Sequence, residues 1–175
     1  MFWSRRLLPA EQAFVRRHFG TSLAPLMPRL RLYLRRLGDT RRAWSFNGGR
    51  IALPAGCFEA GDPRRALRLD DAAVAGVLAH ELFHQWQRLR GQPVTRQAAW
   101  LHGKAVCLGH DPYAYPRCDD AEALWACFVT AQVEQQAQMF EDHVRAVQRG
   151  RPDPAFARLA AHVRGAPLDE ASQAV

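Results

Sequence analysis

The chain has 175 residues, of which 48% are hydrophobic and 23% are charged. This length allows one domain with its own hydrophobic core, and the apolar content excludes a wholly disordered chain. We therefore interpret residues 1–175 as a single domain, with a core at about 9–165 and a polar C-terminal tail. No apolar run approaches the length that crosses a bilayer, so we expect no membrane partner.

The formal net charge is +7, which raises the question of nucleic-acid binding. Lys104 is the only lysine, and the arginines are scattered rather than gathered beside aromatic residues in a recognisable module. We therefore do not expect nucleic acid as a partner. The four cysteines contain no C-x-x-C pair, which argues against a four-cysteine zinc site.

The N-terminus is basic, but no continuous apolar region follows it, so it does not have the pattern of a secretory signal. The expected location is the cytoplasm as synthesised, with export by a signal-independent route left open. Residues 10–19 follow Pro9 and precede Gly20, a pattern typical of a short helix. Residues 29–35 then alternate apolar and polar side chains, which predicts a half-buried strand.

A hairpin is predicted next along the chain. Residues 43–46 and 50–53 flank Asn47-Gly48-Gly49, and an Asn-Gly pair between two short apolar segments is a strong hairpin signal. Together with the preceding strand, the hairpin predicts a small antiparallel or mixed sheet in the N-terminal part of the chain.

The second half is predicted to be mainly helical. Asp70 and Asp71 are suitable N-caps for a helix over residues 72–90, whose apolar positions keep helical spacing. Residues 91–117 are rich in Gly, Pro, His and Tyr, which favours a loop, with a short strand at 113–115.

A second long helix is predicted to end near Gly150, and Asp119 and Thr130 are both suitable as its N-cap. A short helix over residues 154–163 and the polar tail complete the chain. The predicted fold class is therefore α+β, with a small N-terminal sheet and two long helices.

The first of these helices contains His80-Glu81-Leu82-Phe83-His84, an H-E-x-x-H sequence. Residues four apart lie one turn apart on the same helix face, so both imidazoles can bind one zinc ion. Glu81 can then act as general base toward the zinc-bound water, whose pKa the metal lowers. Because the motif lies inside a capped amphipathic helix, we prefer this interpretation to two histidines packed in a core.

A zinc site of this kind needs a third protein ligand. The extended form of the motif is excluded, because Gln87 and Arg90 occupy the positions where it has glycine and histidine. We favour Glu134, at the edge of the apolar stripe of the second long helix, where the small Ala137 allows a close approach. Glu141, two turns further on, could orient a ligand histidine. The alternatives are His102, His110, His143, Asp119, Asp120 and the cysteines.

The residues above resemble a known family. Segments 80–87 and 134–137 are similar to the minimal gluzincin-type, zincin-like metallopeptidases of bacteria, which include proteins related to the type VI secretion spike and domains of polymorphic toxins. In that group a similar helix ends in W-Q-x-x-x-G, matched here by Trp86, Gln87 and Gly91. Its Y-x-Y segment is matched by Tyr113 and Tyr115. The resemblance spans residues 9 to about 148 and implies a zincin fold with peptidase-like chemistry.

The tyrosines suggest how the reaction would be assisted. A phenol over the zinc could donate to the oxyanion of a tetrahedral intermediate. Tyr115 is our choice for this role, with Tyr113 and His110 as alternatives.

The expected function is zinc-dependent hydrolysis of amide bonds in a protein, a peptide or a peptidoglycan stem, linked to a secretion or toxin system. The implied partners are that substrate and a secretion-system component. The alternative is a non-catalytic zinc-binding module of a secretion or phage-like particle, in which a fourth protein ligand such as His110 or Cys107 would seal the site.

Overall fold

A computed structural model describes residues 3–109, 111–118 and 120–165. Four strands form one mixed sheet in the order β1-β2-β4-β3, where β1 is Ser4–Arg6, β2 is Arg31–Leu34, β3 is Trp44–Phe46 and β4 is Arg50–Leu53. β2 pairs parallel to β4, whereas β1 and β3 pair antiparallel to their neighbours. The predicted strand and hairpin are confirmed, and β1 is an addition that its three residues were too few to signal.

The conformation of the hairpin turn explains why the sequence predicted a hairpin here. Gly48 and Gly49 both have positive φ angles, 76° and 80°, which glycine adopts without the steric cost borne by other residues. The turn places β3 at an edge of the sheet, where no other described strand pairs with its outer side. Leu32 and Ile51 are completely buried, so the inner face of the sheet belongs to the core.

Six α-helices lie in the described part of the chain: α1 (Pro9–Phe19), α2 (Ala72–Leu89), α3 (Val94–Leu108), α4 (Ala121–Thr130), α5 (Val133–Gln148) and α6 (Ala157–Arg164). Short 3-10 turns occur at Ala24–Arg29, Ala55–Cys57, Glu59–Gly61 and Pro154–Phe156. The mixed α+β class is therefore confirmed. None of the described helices has both the length and the apolar content to span a membrane.

Helix α2 runs through the middle of the core. Its N-cap is Asp71, whose side chain accepts a hydrogen bond from Ala73 N at 2.8 Å, as the sequence predicts. α2 packs along α5, where Phe83 and Phe140 bring their ring centres to 5.3 Å. Ala137 is completely buried on α5, which is consistent with the close approach expected of a small side chain there.

The prediction for residues 91–117 was wrong. α3 occupies most of that segment, and residues 113–115 form no strand. Pro93 lies just before the helix, where a missing N–H costs nothing, and its carbonyl accepts from Gln97 N. Gly103 lies inside α3 with open space around it, so it costs helix propensity without ending the helix.

The second long helix is two helices. Asp120 caps α4 by accepting from Ala123 N at 2.7 Å, and α4 ends at Thr130. α5 begins after Gln132, so Thr130 is not its N-cap. Asp119, the other predicted cap, and the polar tail at 166–175 lie outside the described residues.

Candidate metal centre

Helices α2 and α5 bring three predicted ligands together. His80 and His84 lie one turn apart on α2, and Glu134 lies in the first turn of α5. A single carboxylate oxygen, Glu134 Oε2, lies 3.3 Å from His80 Nε2 and 3.4 Å from His84 Nε2. One donor atom of each residue lies within 4.8 Å of the other two, so this group could hold a metal ion.

The group is buried and rich in carboxylates. His80, His84 and Glu134 expose 7%, 5% and 3% of their surface, and Glu81 and Glu141 are buried beside them. Burial acts to lower the pKa of His80, but the neighbouring Glu134 and Glu141 carboxylates outweigh it and raise the pKa. Burial likewise acts to raise the pKa of Glu134, and the two histidines outweigh it and lower the pKa. Such a concentration of buried carboxylates favours a bound cation.

Gln87 contacts the ring nitrogen of His84 that does not face Glu134, and so orients the imidazole. Its Oε1 lies 2.8 Å from His84 Nδ1, one helical turn away on the same face. Its Nε2 donates to Val133 O at 3.1 Å and to Gln136 Oε1 at 3.0 Å. Because both amide hydrogens are used there, the amide oxygen faces the imidazole and must accept from it.

The amide chain continues to the backbone of α4. Gln136 Nε2 donates to Phe128 O at 2.9 Å, which leaves Gln136 Oε1 free to accept from Gln87. The amide donors of Gln87 and Gln136 therefore all point away from His84, toward the carbonyls of Val133 and Phe128 and the side-chain oxygen of Gln136. The consequence is a proton on Nδ1 and, in the neutral ring, a lone pair on Nε2 directed at the shared site.

The group next to the second ring nitrogen of His80, Nδ1, is a charged carboxylate. Glu141 Oε2 lies 3.0 Å from His80 Nδ1, at an angle that does not complete a hydrogen bond. Arg145, one turn further along α5, forms an ion pair with the other oxygen of Glu141. The Arg145 side chain lies against Gly76, where an added Cβ would come within 2.5 Å of Nε and 2.7 Å of Cγ. Gly76 therefore leaves the space that Arg145 needs to reach Glu141.

Glu81 lines the same cleft as the two histidines. Burial is the main cause that raises the pKa of its carboxyl group. The backbone beside it is tied to the edge strand, because Ser45 Oγ donates to Glu81 O at 3.0 Å. Glu81 therefore lies next to the three candidate ligands on a helix that the sheet holds in place.

The two tyrosines occupy different surroundings. The Tyr115 hydroxyl donates to Asp142 at 2.7 Å, and Tyr115 lines an adjoining depression, which Tyr113 also borders, but not the cleft that contains the histidines. Tyr113 lines that cleft, with its ring centre 5.8 Å from those of His80 and of His102. The structure thus brings Tyr113, our alternative, next to the cluster and does not bring Tyr115 there.

The other ligand alternatives are placed as follows. His102 Nε2 lies 3.8 Å from Glu134 Oε1, at the margin of the cluster. His143 packs between Phe140 and Phe156, and Asp120 is engaged as the cap of α4. His110 and Asp119 lie outside the described residues, and Cys107 is exposed. Within the described part of the chain, no fourth His, Cys, Asp or Glu joins the three-residue group.

The cluster lies at a cleft of about 890 Å³. Residues 41–47, from β3 and its flanks, and Arg50 of β4 form what we call the strand wall. Residues of α3 form what we call the helix wall, namely Val94, Thr95, Ala98, Ala99 and His102. α2 contributes the histidines and Glu81 between them, so the candidate ligands face a space that could admit a peptide-sized molecule.

No protein-family model matches this chain, and no curated protein matches it. A solved structure does. The effector domain of Pseudomonas aeruginosa VgrG2b has a similar fold, with a TM-score of 0.63 over 89% of this chain and 82% of that chain. The two sequences are 19% identical, so the likeness to the VgrG2b effector domain shows a shared fold.

The sequence analysis missed the role of Gln87, although a signal was present. Gln87 entered only as a mismatch to the extended motif and as part of W-Q-x-x-x-G. Its position three residues after His84 places the two side chains on one helix face, which could have identified it as a partner of that imidazole. Arg145 and Gly76 gave no comparable signal, because their relation exists only once α2 and α5 are packed together.

Proposed function

We propose that this chain is a zinc metallopeptidase that hydrolyses amide bonds of a protein, a peptide or a peptidoglycan stem. The observation that carries the proposal is the convergence of two imidazole Nε2 atoms on one oxygen of Glu134, at 3.3 and 3.4 Å. His80, His84 and Glu134 would hold the metal. Two histidines and a glutamate are the ligand set of many catalytic zinc sites.

The donor atoms fit zinc by two criteria. Tetrahedral zinc with bonds of about 2.0–2.1 Å separates neighbouring donor atoms by about 3.3 Å, which the two nitrogen–oxygen distances match. Gln87 also leaves His84 with its proton on Nδ1, so its Nε2 lone pair is available to a metal. The buried carboxylates around the site add the charge complementarity that a divalent cation requires.

Zinc would supply Lewis acidity, which activates a water molecule and polarises the substrate carbonyl. Glu81 would accept the proton of the attacking water and deliver it to the leaving amide nitrogen. Its burial, which raises its carboxyl pKa, suits a group that must take up and release a proton in turn.

Tyr113 is the better candidate to donate to the oxyanion of the transition state, because it lines the cleft beside His80 whereas Tyr115 does not. Burial, followed by the Glu134 carboxylate, raises the pKa of Tyr113 to about 12, so its phenol keeps its proton and can donate.

The secretion link rests on the solved structure that resembles this chain, whose name describes an effector domain of a VgrG protein. We infer that this chain acts as an effector-type enzyme associated with a secretion system. It would be exported by that system. A non-catalytic zinc module is the alternative, but the cleft beside the candidate ligands favours an enzyme.

The test is Glu81→Gln, with zinc content and hydrolysis of a peptide library measured in parallel. We expect the variant to retain zinc and to lose about 10²–10⁴-fold in hydrolysis rate, because it cannot accept the proton. Glu122→Gln, an exposed glutamate on α4, is the matched control and should keep full activity. Full activity in Glu81→Gln would overturn the mechanism, and zinc binding without any hydrolysis by the wild type would favour the non-catalytic module.

A further inference from the structure

The two walls of the cleft differ in charge. Arg41, Arg42 and Arg50 all belong to the strand wall, and the cleft lining also contains Arg68, which precedes α2, and Arg88 of α2. The helix wall contributes no arginine, lysine, aspartate or glutamate to that lining. A peptide bound between them would therefore meet cationic groups along one wall and small or apolar side chains along the other.

Some of these arginines are already engaged. Arg68 pairs with Asp71 at 2.8 Å, and Arg88 is directed inward to Ser45 O at 2.8 Å. Arg41 is nearly fully exposed and lies 3.3 Å from Asp39, which is itself partly exposed. Such exposed pairs contribute little and are readily exchanged for a substrate carboxylate.

Arg42 and Arg50 have no ion-pair partner among the described residues. Both side chains are exposed, and the only side-chain hydrogen bond of Arg50 in this part of the chain is to the carbonyl of Asn47 at 3.1 Å. The positive charge of Arg42 acts on Tyr113, which also lines the cleft, and opposes the rise in the Tyr113 pKa that burial causes. Both arginines line the cleft that contains the candidate metal ligands, so their unpaired charge faces a bound substrate.

The carboxylates that line the cleft do not neutralise this wall. Glu81, Glu134 and Glu141 are buried at the metal centre, and Asp71 is held by Arg68. Next to the free arginines, Trp44 and Phe46 expose 50% and 42% of their surface. The strand wall thus combines unpaired guanidinium groups with exposed aromatic rings, a surface suited to acidic side chains with apolar neighbours.

We propose that this cleft selects acidic peptides: aspartate or glutamate side chains of the substrate bind along the strand wall at Arg41, Arg42 and Arg50, and small or apolar side chains lie against the helix wall. The proposal names the substrate class of the site and rests on the proposed peptidase function. A peptide is favoured over a nucleic acid because the helix wall offers no arginine or lysine to a phosphate backbone, whereas a peptide needs cationic groups only where its acidic side chains lie.

Binding is measured with zinc-loaded Glu81→Gln, which leaves bound peptides uncut. The probes are two fluorescein-labelled, alanine-rich peptides that differ only in glutamate against glutamine at two adjacent positions. We expect the glutamate peptide to bind about tenfold more tightly at low salt, with the preference shrinking as ionic strength rises. Adding Arg41→Gln and Arg42→Gln should reduce the preference to about twofold or less.

Arg16→Gln with Arg17→Gln is the matched control, because this pair is also adjacent and exposed but lies on α1, outside the cleft lining. It changes the net charge equally and should keep the full preference. Equal binding of the two peptides, or equal loss in both double variants, would overturn the proposal. Tighter, Arg42-dependent binding of a single-stranded oligonucleotide would overturn it in favour of a nucleic-acid site.

Hydrolysis separates this proposal from the one on which it rests. Wild-type enzyme is incubated with a proteome-derived peptide library, and the cut sites are read by mass spectrometry. We expect acidic residues to be enriched on one side of the cut, and less so for the Arg41/Arg42 variant. Cuts without acidic enrichment would overturn the substrate class alone. Absence of any cut would overturn the peptidase function, and the binding preference would still decide whether the strand wall recognises acidic peptides.

Discussion

The two candidate histidine ligands are supported in opposite ways. Behind His84 lies a chain of neutral amides, Gln87 and Gln136, that ends on backbone carbonyls and is closed to solvent. Behind His80 lies a charged pair, Glu141 with Arg145, and the Arg145 side chain is 31% exposed. The two imidazoles, one turn apart on the same helix, therefore depend on different physical forces.

The two arrangements differ in how they leave the Nε2 atom of each buried imidazole available to a metal ion. The amide chain sets the tautomer of His84 by geometry, because every donor in it has one acceptor available. The carboxylate acts on His80 through charge, which raises ligand basicity but tolerates an oblique approach. We therefore expect the His84 side to be sensitive to the loss of single hydrogen bonds and the His80 side to be more tolerant.

Among three substitutions of residues that act on the candidate histidine ligands, Gln87→Leu should have the largest effect. It leaves His84 Nδ1, Val133 O and Gln136 Oε1 without their partner in a buried region. We expect a loss of about 3 kcal/mol in the free energy of unfolding and about 100-fold in zinc affinity. Urea denaturation and competitive zinc titration measure the two quantities. Gln97→Leu, on the exposed side of α3, should change stability by less than about 0.5 kcal/mol.

Glu141→Gln should have an intermediate effect. The amide keeps the shape of the side chain but removes the charge that acts on His80, so zinc affinity should fall about tenfold. Stability should fall by no more than about 1 kcal/mol, because Arg145 is partly solvated. Glu122→Gln breaks another arginine–carboxylate pair, with Arg158, and should leave zinc affinity unchanged. An equal loss of affinity in Gln87→Leu and Glu141→Gln would remove the contrast between the two sides.

Gly76→Ala should have the smallest effect. The added Cβ would displace Arg145 and loosen its hold on Glu141, which we expect to lower zinc affinity about threefold. A gain in helix propensity of about 0.5–1 kcal/mol should largely offset the lost packing. Gly103→Ala lies in open space on α3 and should raise stability without changing zinc affinity. If Gly76→Ala and Gly103→Ala had the same effects on zinc affinity and stability, Gly76 would have no role in positioning Arg145 and Glu141 beside His80.

Local signals explain what the sequence predicted. The Asn47-Gly48-Gly49 turn, the cap at Asp71 and the periodicity of α2 act within a few residues, and each appears in the structure as expected. The convergence of Glu134 on the histidines was predictable because one helix face and one acidic residue on a second amphipathic helix restrict the choice.

The features that the sequence did not reveal have both local and long-range causes. α3 was missed because Pro93 and Gly103 look like breakers, although one precedes the helix and the other is tolerated inside it. The choice between Tyr113 and Tyr115 depends on which of them meets Asp142, a residue 27 positions after Tyr115. The charge difference between the cleft walls likewise arises only when β3 and α3 pack around α2.

The most direct test of the metal centre is the zinc content of purified, metal-replete wild type and of Glu134→Ala, measured by elemental analysis. Circular dichroism confirms that both are folded. We predict about one zinc ion per chain in the wild type and a marked loss in the variant, because Glu134 would supply the third donor. Zinc retained in Glu134→Ala would contradict its role as a ligand. A folded wild type without zinc would contradict the metal centre itself.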